Sequence, residues 1–259
     1  MRLAGWILLL TASAASAQPA PGVLARGIFT TTITAEVDAS EDTFGDPTSL
    51  APDLAIGVTD ELTLSLLHST FGRTGFRGSA GAGLCLTDAC VETYDNVGGE
   101  AYLGLVGGTF AVAANGGIHA TSFARGHYAG KLGARMRLRA GPLSLVSLPS
   151  IAVAISQRDE QADRIFVPIT ASIPVAGGLA VGVITGFKAP LDDIAARYEL
   201  AAGAFVQYVA SPSIAIAASW VHGTLIGGDA ALPEDTSGVE SRAVQLWVTI
   251  TRSAYPRYR

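Results

Sequence analysis

RIFVPITASIPVAGGLAVGVITGFK, residues 164 to 188, decides the fold. Between Arg164 and Lys188 no residue is charged, so residues 165–187 are long enough to cross a bilayer as a helix. Yet Ala176-Gly177-Gly178 stands at the centre, and Pro168 and Pro174 lie inside the same span. A spanning strand needs only about 9 to 11 residues, so a breaker at the midpoint turns one candidate helix into two candidate strands.

The pattern recurs outward along the chain at Gly107-Gly108, Gly141-Pro142 and Ser211-Pro212-Ser213. Each short turn joins two apolar segments, and each pair of segments ends in a longer polar loop. Short turns at one end and long loops at the other describe an antiparallel transmembrane β-barrel, with the turns periplasmic and the loops extracellular. A multi-pass helical protein would use the same apolar windows, but Gly, Pro, Thr and Val lower helix formation throughout them. A soluble β-sandwich would need the cationic face of residues 131–139 turned outward.

Composition agrees with a membrane barrel. The chain is 49% hydrophobic and only 15% charged, with a formal charge of −5, and its mean hydropathy is +0.38. That apolar excess must meet something other than water, here outer-membrane lipid. The acidic balance and the absence of a basic run exclude nucleic-acid binding as a purpose. Arg2, the apolar run Trp6 to Leu10 and Ala15-Ser16-Ala17 read as an export signal over residues 1–17. The remaining organisation is a periplasmic segment over 18–26, a barrel over 27–252 and a tail over 253–259.

Alternation places the strands. Phe29, Ile33, Ala35 and Val37 share a face opposite Thr30, Thr32, Thr34 and Glu36. Leu54, Ile56 and Val58 lead through Thr59-Asp60-Glu61 into Leu62, Leu64 and Leu66, a tight hairpin. Its sequence from Gly57 to Leu64, GVTDELTL, resembles the hairpin of bacterial outer-membrane barrels of the porin-like and phenol-degradation-associated kind. The resemblance implies the class and no particular substrate. Strands at 97–106, 110–123, 131–139, 143–156, 165–175, 179–188, 198–209, 214–226 and 240–252 bring the count to about twelve, the even number that single-chain barrels have. Twelve strands lie between filled eight-stranded barrels and open sixteen-stranded porins, so a narrow lumen is expected.

The plainest alternation sets Leu132, Ala134, Met136 and Leu138 against Lys131, Arg135, Arg137 and Arg139. Four cations facing lipid would cost several kcal/mol each near the midplane, so the row faces the lumen. Two readings stay open. The row is an electropositive wall selecting anions, or it pairs with lumen carboxylates such as Glu36, Asp53, Glu100 and Glu199. Tyr198 and Tyr208, ten residues apart on one face, have the spacing of two aromatic girdles. Cys85 and Cys90 in an exported, Gly-rich loop predict a disulfide, since two thiolates without further clustered ligands leave a metal site incomplete. Acidic loop residues Asp159, Glu160, Asp192, Asp193, Glu234 and Asp235 read as solvated.

His68, His119, His127 and His222 form no spacing that assembles nucleophile, base and orienting group. Residues 78–83 are Gly-rich but lack a phosphate-loop lysine and a following helix. The expected function is therefore a monomeric porin-like channel or transporter for small solutes, without metal or cofactor. The alternatives are a structural or surface-interaction barrel and a lipid-modifying enzyme. Many such barrels end on an aromatic residue, whereas this chain continues through Tyr255 and Tyr258 to Arg259.

Overall fold

The computed structural model describes residues 20–40, 43–79, 83–88, 90, 92–227 and 242–253. The export signal, Glu234, Asp235 and the tail residues Tyr255 and Tyr258 lie outside them. In chain order the elements are β1 (Ile28–Asp38), β2 (Thr48–Gly57), β3 (Leu62–Leu67), α1 (Thr70–Thr74), β4 (Leu84–Cys85), β5 (Val97–Val106), β6 (Phe110–Ser122) and β7 (His127–Ala140). They continue with β8 (Leu143–Ser147), β9 (Ser150–Ala154), β10 (Arg164–Ala176), β11 (Leu179–Pro190), β12 (Glu199–Ser211), β13 (Ile214–Gly227) and β14 (Arg242–Ser253).

All neighbouring strands pair antiparallel, and β1 pairs with both β2 and β14, which closes the sheet into a barrel without a free edge. Of the fourteen strands, β4 is a two-residue patch, and β8 and β9 are halves of one wall strand, so twelve strands form the wall. The sequence predicts a continuous strand over 143–156. The structure breaks it at Leu148-Pro149, because Pro149 has no N–H to give the ladder. The wall stays continuous there through Leu148 N donating to Pro168 O and Ala134 N donating to Pro149 O.

The hairpin of residues 164–188 shows why the breakers matter. Gly177 and Gly178 have φ of 52° and 86°, the left-handed values that a two-residue hairpin turn matched to strand twist demands. A Cβ on Gly178 would lie 2.8 Å from Val209 O, so the neighbouring strand also excludes a side chain there. Beyond the turn, Ile173, Val175, Val181 and Val183 are exposed while Phe166 and Ile184 are buried. On β7 the contrast is larger, with Leu132 74% exposed beside Lys131 at 6%. Apolar side chains therefore cover the outside and polar ones fill the inside, the reverse of a soluble barrel. Among the described residues no helix is long and apolar enough to cross a membrane, and the strands do the crossing.

A concavity of about 750 Å³ lies on this outer face, among Ala171, Ile173, Val183, Ala204, Val206 and Trp220. It is apolar and separate from the lumen. Replacing Leu132 with Arg should lower barrel stability by about 2–4 kcal/mol. Equilibrium unfolding in lipid vesicles measures this, and an unchanged midpoint and slope would place Leu132 away from lipid.

Candidate functional site: a lumen with two inserts

The loop after β3 turns inward. Ser69 starts α1, its hydroxyl accepting from Gly72 N at 2.8 Å, and Gly75 in the left-handed region ends it. Two wall carboxylates fix the entry. Glu36 on β1 accepts from Thr70 N and Thr70 Oγ1, both at 2.7 Å. Asp53 on β2 accepts from His68 N at 2.7 Å, Ser69 N at 2.9 Å and the Ser69 hydroxyl. On the far side, Lys131 Nζ of β7 donates to Arg73 O at 2.6 Å, and Phe76 packs against Phe166 of β10 and Ala201 of β12. Since β1 and β10 stand five steps apart in a ring of twelve, this loop spans the lumen.

The loop's exit is equally committed. The Arg77 guanidinium lies between two rings, its central carbon 3.5 Å from the Trp247 centroid and 4.2 Å from that of Phe71. It also donates to Gln245 Oε1 at 3.1 Å, while Gln245 Nε2 donates to Gly78 O at 2.7 Å. Burial pushes Arg77 down to about 9, which leaves it cationic at neutral pH. The chain then returns to the wall as β4, which pairs with Ser49 and Leu50 of β2 above the end of β3. The Cys85–Cys90 disulfide closes the hairpin beyond it.

A second insert enters from the short-turn end. Ala20 and Val23 are buried against Tyr102 of β5 and Ala113 of β6, both lumen-facing. Leu24 N donates to Thr63 Oγ1 at 2.7 Å, Arg26 N to Asp60 Oδ1 at 2.9 Å and Gly27 N to Gly57 O at 2.8 Å. The sequence predicts only a periplasmic segment over 18–26, because nine residues with no periodicity carry no sign of where they pack.

The cationic row on β7 meets one of the four candidate carboxylates. Glu100 Oε1 accepts from Lys131 Nζ at 2.7 Å and contacts His119 Nε2 at 2.9 Å, and Glu100 Oε2 accepts from Asn115 Nδ2 at 2.8 Å. Arg135 instead donates to the Tyr102 hydroxyl at 2.9 Å and lies 4.1 Å from its ring centroid. Glu36 and Asp53 serve the inserted loop, and Glu199 pairs with Lys188 at 2.7 Å and accepts from Thr224. Arg137 is partly buried and Arg139 exposed, both toward the short-turn end of β7. Tyr208 sits 48% exposed opposite Leu179 at the short-turn end, and Tyr198 stacks on Phe187 at the loop end.

The histidines each have a local partner. His68 contacts Pro52 O and the Tyr94 hydroxyl, His119 contacts Glu100, His127 contacts Glu160, and His222 accepts from Trp220. Among the described residues no group of three His, Cys, Asp or Glu gathers to hold a metal. What the sequence reading missed is the inserted loop. Its sign was FGRTGFRG, residues 71–78, which places two Phe and two Arg in a loop otherwise fit for water.

A closed twelve-stranded antiparallel barrel, apolar outside and polar within, has the fold of the bacterial outer-membrane porins. Its belt of exposed aliphatic residues is what such a barrel presents to that membrane. Among solved structures, an outer membrane channel from Pseudomonas putida F1 is similar at a TM-score of 0.59 and 12% identity, over 89% of this chain and 97% of that one. The NanC porin is similar at 0.57 and 7% identity, over 85% and 98%. The KdgM porin is similar at 0.55 and 8% identity, over 85% and 98%. At these identities the likeness is one of fold. No protein-family model and no curated protein matches the chain.

Proposed function

We propose that this chain is an outer-membrane channel for small solutes, with a preference for anions set at its short-turn mouth. The observation that carries the reading is the inward polar face of the wall, where charged groups are held by specific partners around a crossing loop. A barrel serving only as a scaffold has no need of a lumen built this way. KdgM, one of the fold neighbours, has been solved in complex with disordered oligogalacturonate, which supports passage of small hydrophilic solutes through a barrel of this shape. At the mouth, Arg137 and Arg139 lie two residues apart on the lumen row of β7, and fixed positive charge on the wall of a narrow pore favours the opposite ion.

Purified protein in a planar bilayer should give discrete conductance steps, with a reversal potential in a salt gradient displaced toward that of chloride. Converting Arg137 and Arg139 to Gln should move that potential toward the non-selective value. Conductance with unchanged selectivity would remove the role of the arginines. Silence across salts and voltages would remove the channel and leave a surface-interaction barrel.

A further inference from the structure

We propose that residues 20–25 are a displaceable occupant of a lumen site formed by Tyr102, Ala113 and Arg135, whose place is taken by a small carboxylate with a short apolar body. This inference rests on the channel reading and adds a binding site to it. The floor of the site is apolar, with Tyr102 1% and Ala113 0% exposed beneath Ala20 and Val23. Its edge is a cation in fixed position, because Arg135 both donates to the Tyr102 hydroxyl at 2.9 Å and stacks on the ring at 4.1 Å. The segment is pressed onto that cation. A Cβ on Gly22 would lie 2.8 Å from Arg135 Cδ and 2.9 Å from Arg135 Nη1, which shows how closely the two approach, and the φ of 81° at Gly22 favours glycine there.

With the segment seated, Arg135 meets the Tyr102 phenol of the wall and lies against Gly22, neither of them charged. A carboxylate supplies a charge-assisted hydrogen bond, which is roughly twice as strong as a neutral one. An apolar body then replaces Ala20 and Val23 on the floor. The chemistry of the resident segment thus states what can replace it.

The two inserts also differ in how firmly they are held. The inserted loop is bound by Glu36, Asp53, Lys131 and Gln245 and returns through a disulfide-closed hairpin. Residues 20–25 rest on Ala20 and Val23, on Gly22 against Arg135, on the backbone of Leu24 and Ala25 over Gly57, and on the bond from Leu24 N to Thr63 Oγ1, with no carboxylate or disulfide among these contacts. The remaining anchors, at Arg26 and Gly27, sit at the rim, where Gly27 with φ of 73° supplies a pivot.

Benzoate, tested as a blocker of chloride current, separates the outcomes. Deleting residues 20–25 should raise chloride conductance and lower the half-blocking benzoate concentration about tenfold, the ratio for a segment seated roughly nine-tenths of the time. Adding Arg135→Gln to the deletion should abolish that gain. Equal conductance and equal block in the full and deleted chains would overturn the site while leaving the channel intact. A second variant keeps the segment in place: Val23→Cys with Ala113→Cys, in a Cys85→Ser, Cys90→Ser background. Its cross-linked form should conduct less and bind benzoate more weakly than its reduced form, and identical traces would overturn the proposal. Absence of conductance in every variant would instead overturn the channel reading beneath it.

Discussion

Replacing residues 71–78 with a short Gly-Ser link raises single-channel conductance severalfold. The expectation follows from where the loop is anchored. Thr70 is bonded to β1, Arg73 O to β7, and Phe76 is packed on β10, so the segment bridges walls five steps apart in a ring of twelve. A twelve-stranded barrel has a modest interior, and a crossing segment with two phenylalanines removes a large share of its cross-section. The barrel itself should survive, because the loop adds no ladder pairing between β3 and β5, which pair from Leu62–Leu103 to Leu67–Gly98. Heat-modifiable migration on a gel reports the folded barrel independently of current. A folded variant with wild-type conductance would mean that ions pass beside the loop and that it constricts nothing.

The second large effect is on stability. Lys131→Met alone should cost about 3–5 kcal/mol, because it leaves the Glu100 carboxylate, wholly buried, without its cation. His119 and Asn115 remain as hydrogen-bond partners but carry no permanent charge. Glu100→Gln alone should cost a comparable amount by stranding the Lys131 ammonium, whose only other acceptor among the described residues is Arg73 O. The double variant removes both charges together, so its cost should fall at least about 2 kcal/mol short of the sum. Denaturant unfolding in detergent or vesicles measures all three. Additive costs would show that the pair is not coupled and that each group is stabilised by water in the lumen. Lys131→Met should also loosen the inserted loop and raise current noise, since the same ammonium holds the end of α1.

Much of the wall was legible because a membrane barrel writes its structure locally. Alternation at residues 131–139 assigned Leu132 to lipid and Lys131 to the interior, as the exposures of 74% and 6% show. Glycines at 177 and 178 marked a turn because only that backbone closes a two-residue hairpin with the right twist. The Pro149 break was less legible, since a proline inside an apolar run changes the ladder without changing the alternation on either side.

The lumen was not legible in the same way. Glu36 and Asp53 were read as partners for the β7 cations, whereas they bind backbone and hydroxyl groups of the inserted loop. Glu199 likewise meets Lys188 rather than an arginine of the row. Strand periodicity says that a side chain points inward, but which inward groups meet depends on barrel diameter and on what else enters.

By itself, then, the sequence determined most of the strands, their facing, the positions of the short turns and the disulfide, because each is set by neighbours within a hairpin or a loop. Only the tertiary structure decided the contents of the barrel: a loop drawn across it by two wall carboxylates, an N-terminal segment lodged against Tyr102, and one buried pair, Lys131 with Glu100. Those contacts join residues from 15 positions apart, at Asp53 and His68, to 82, at Ala20 and Tyr102. Their partners are chosen by closure of the ring, and no local pattern records it.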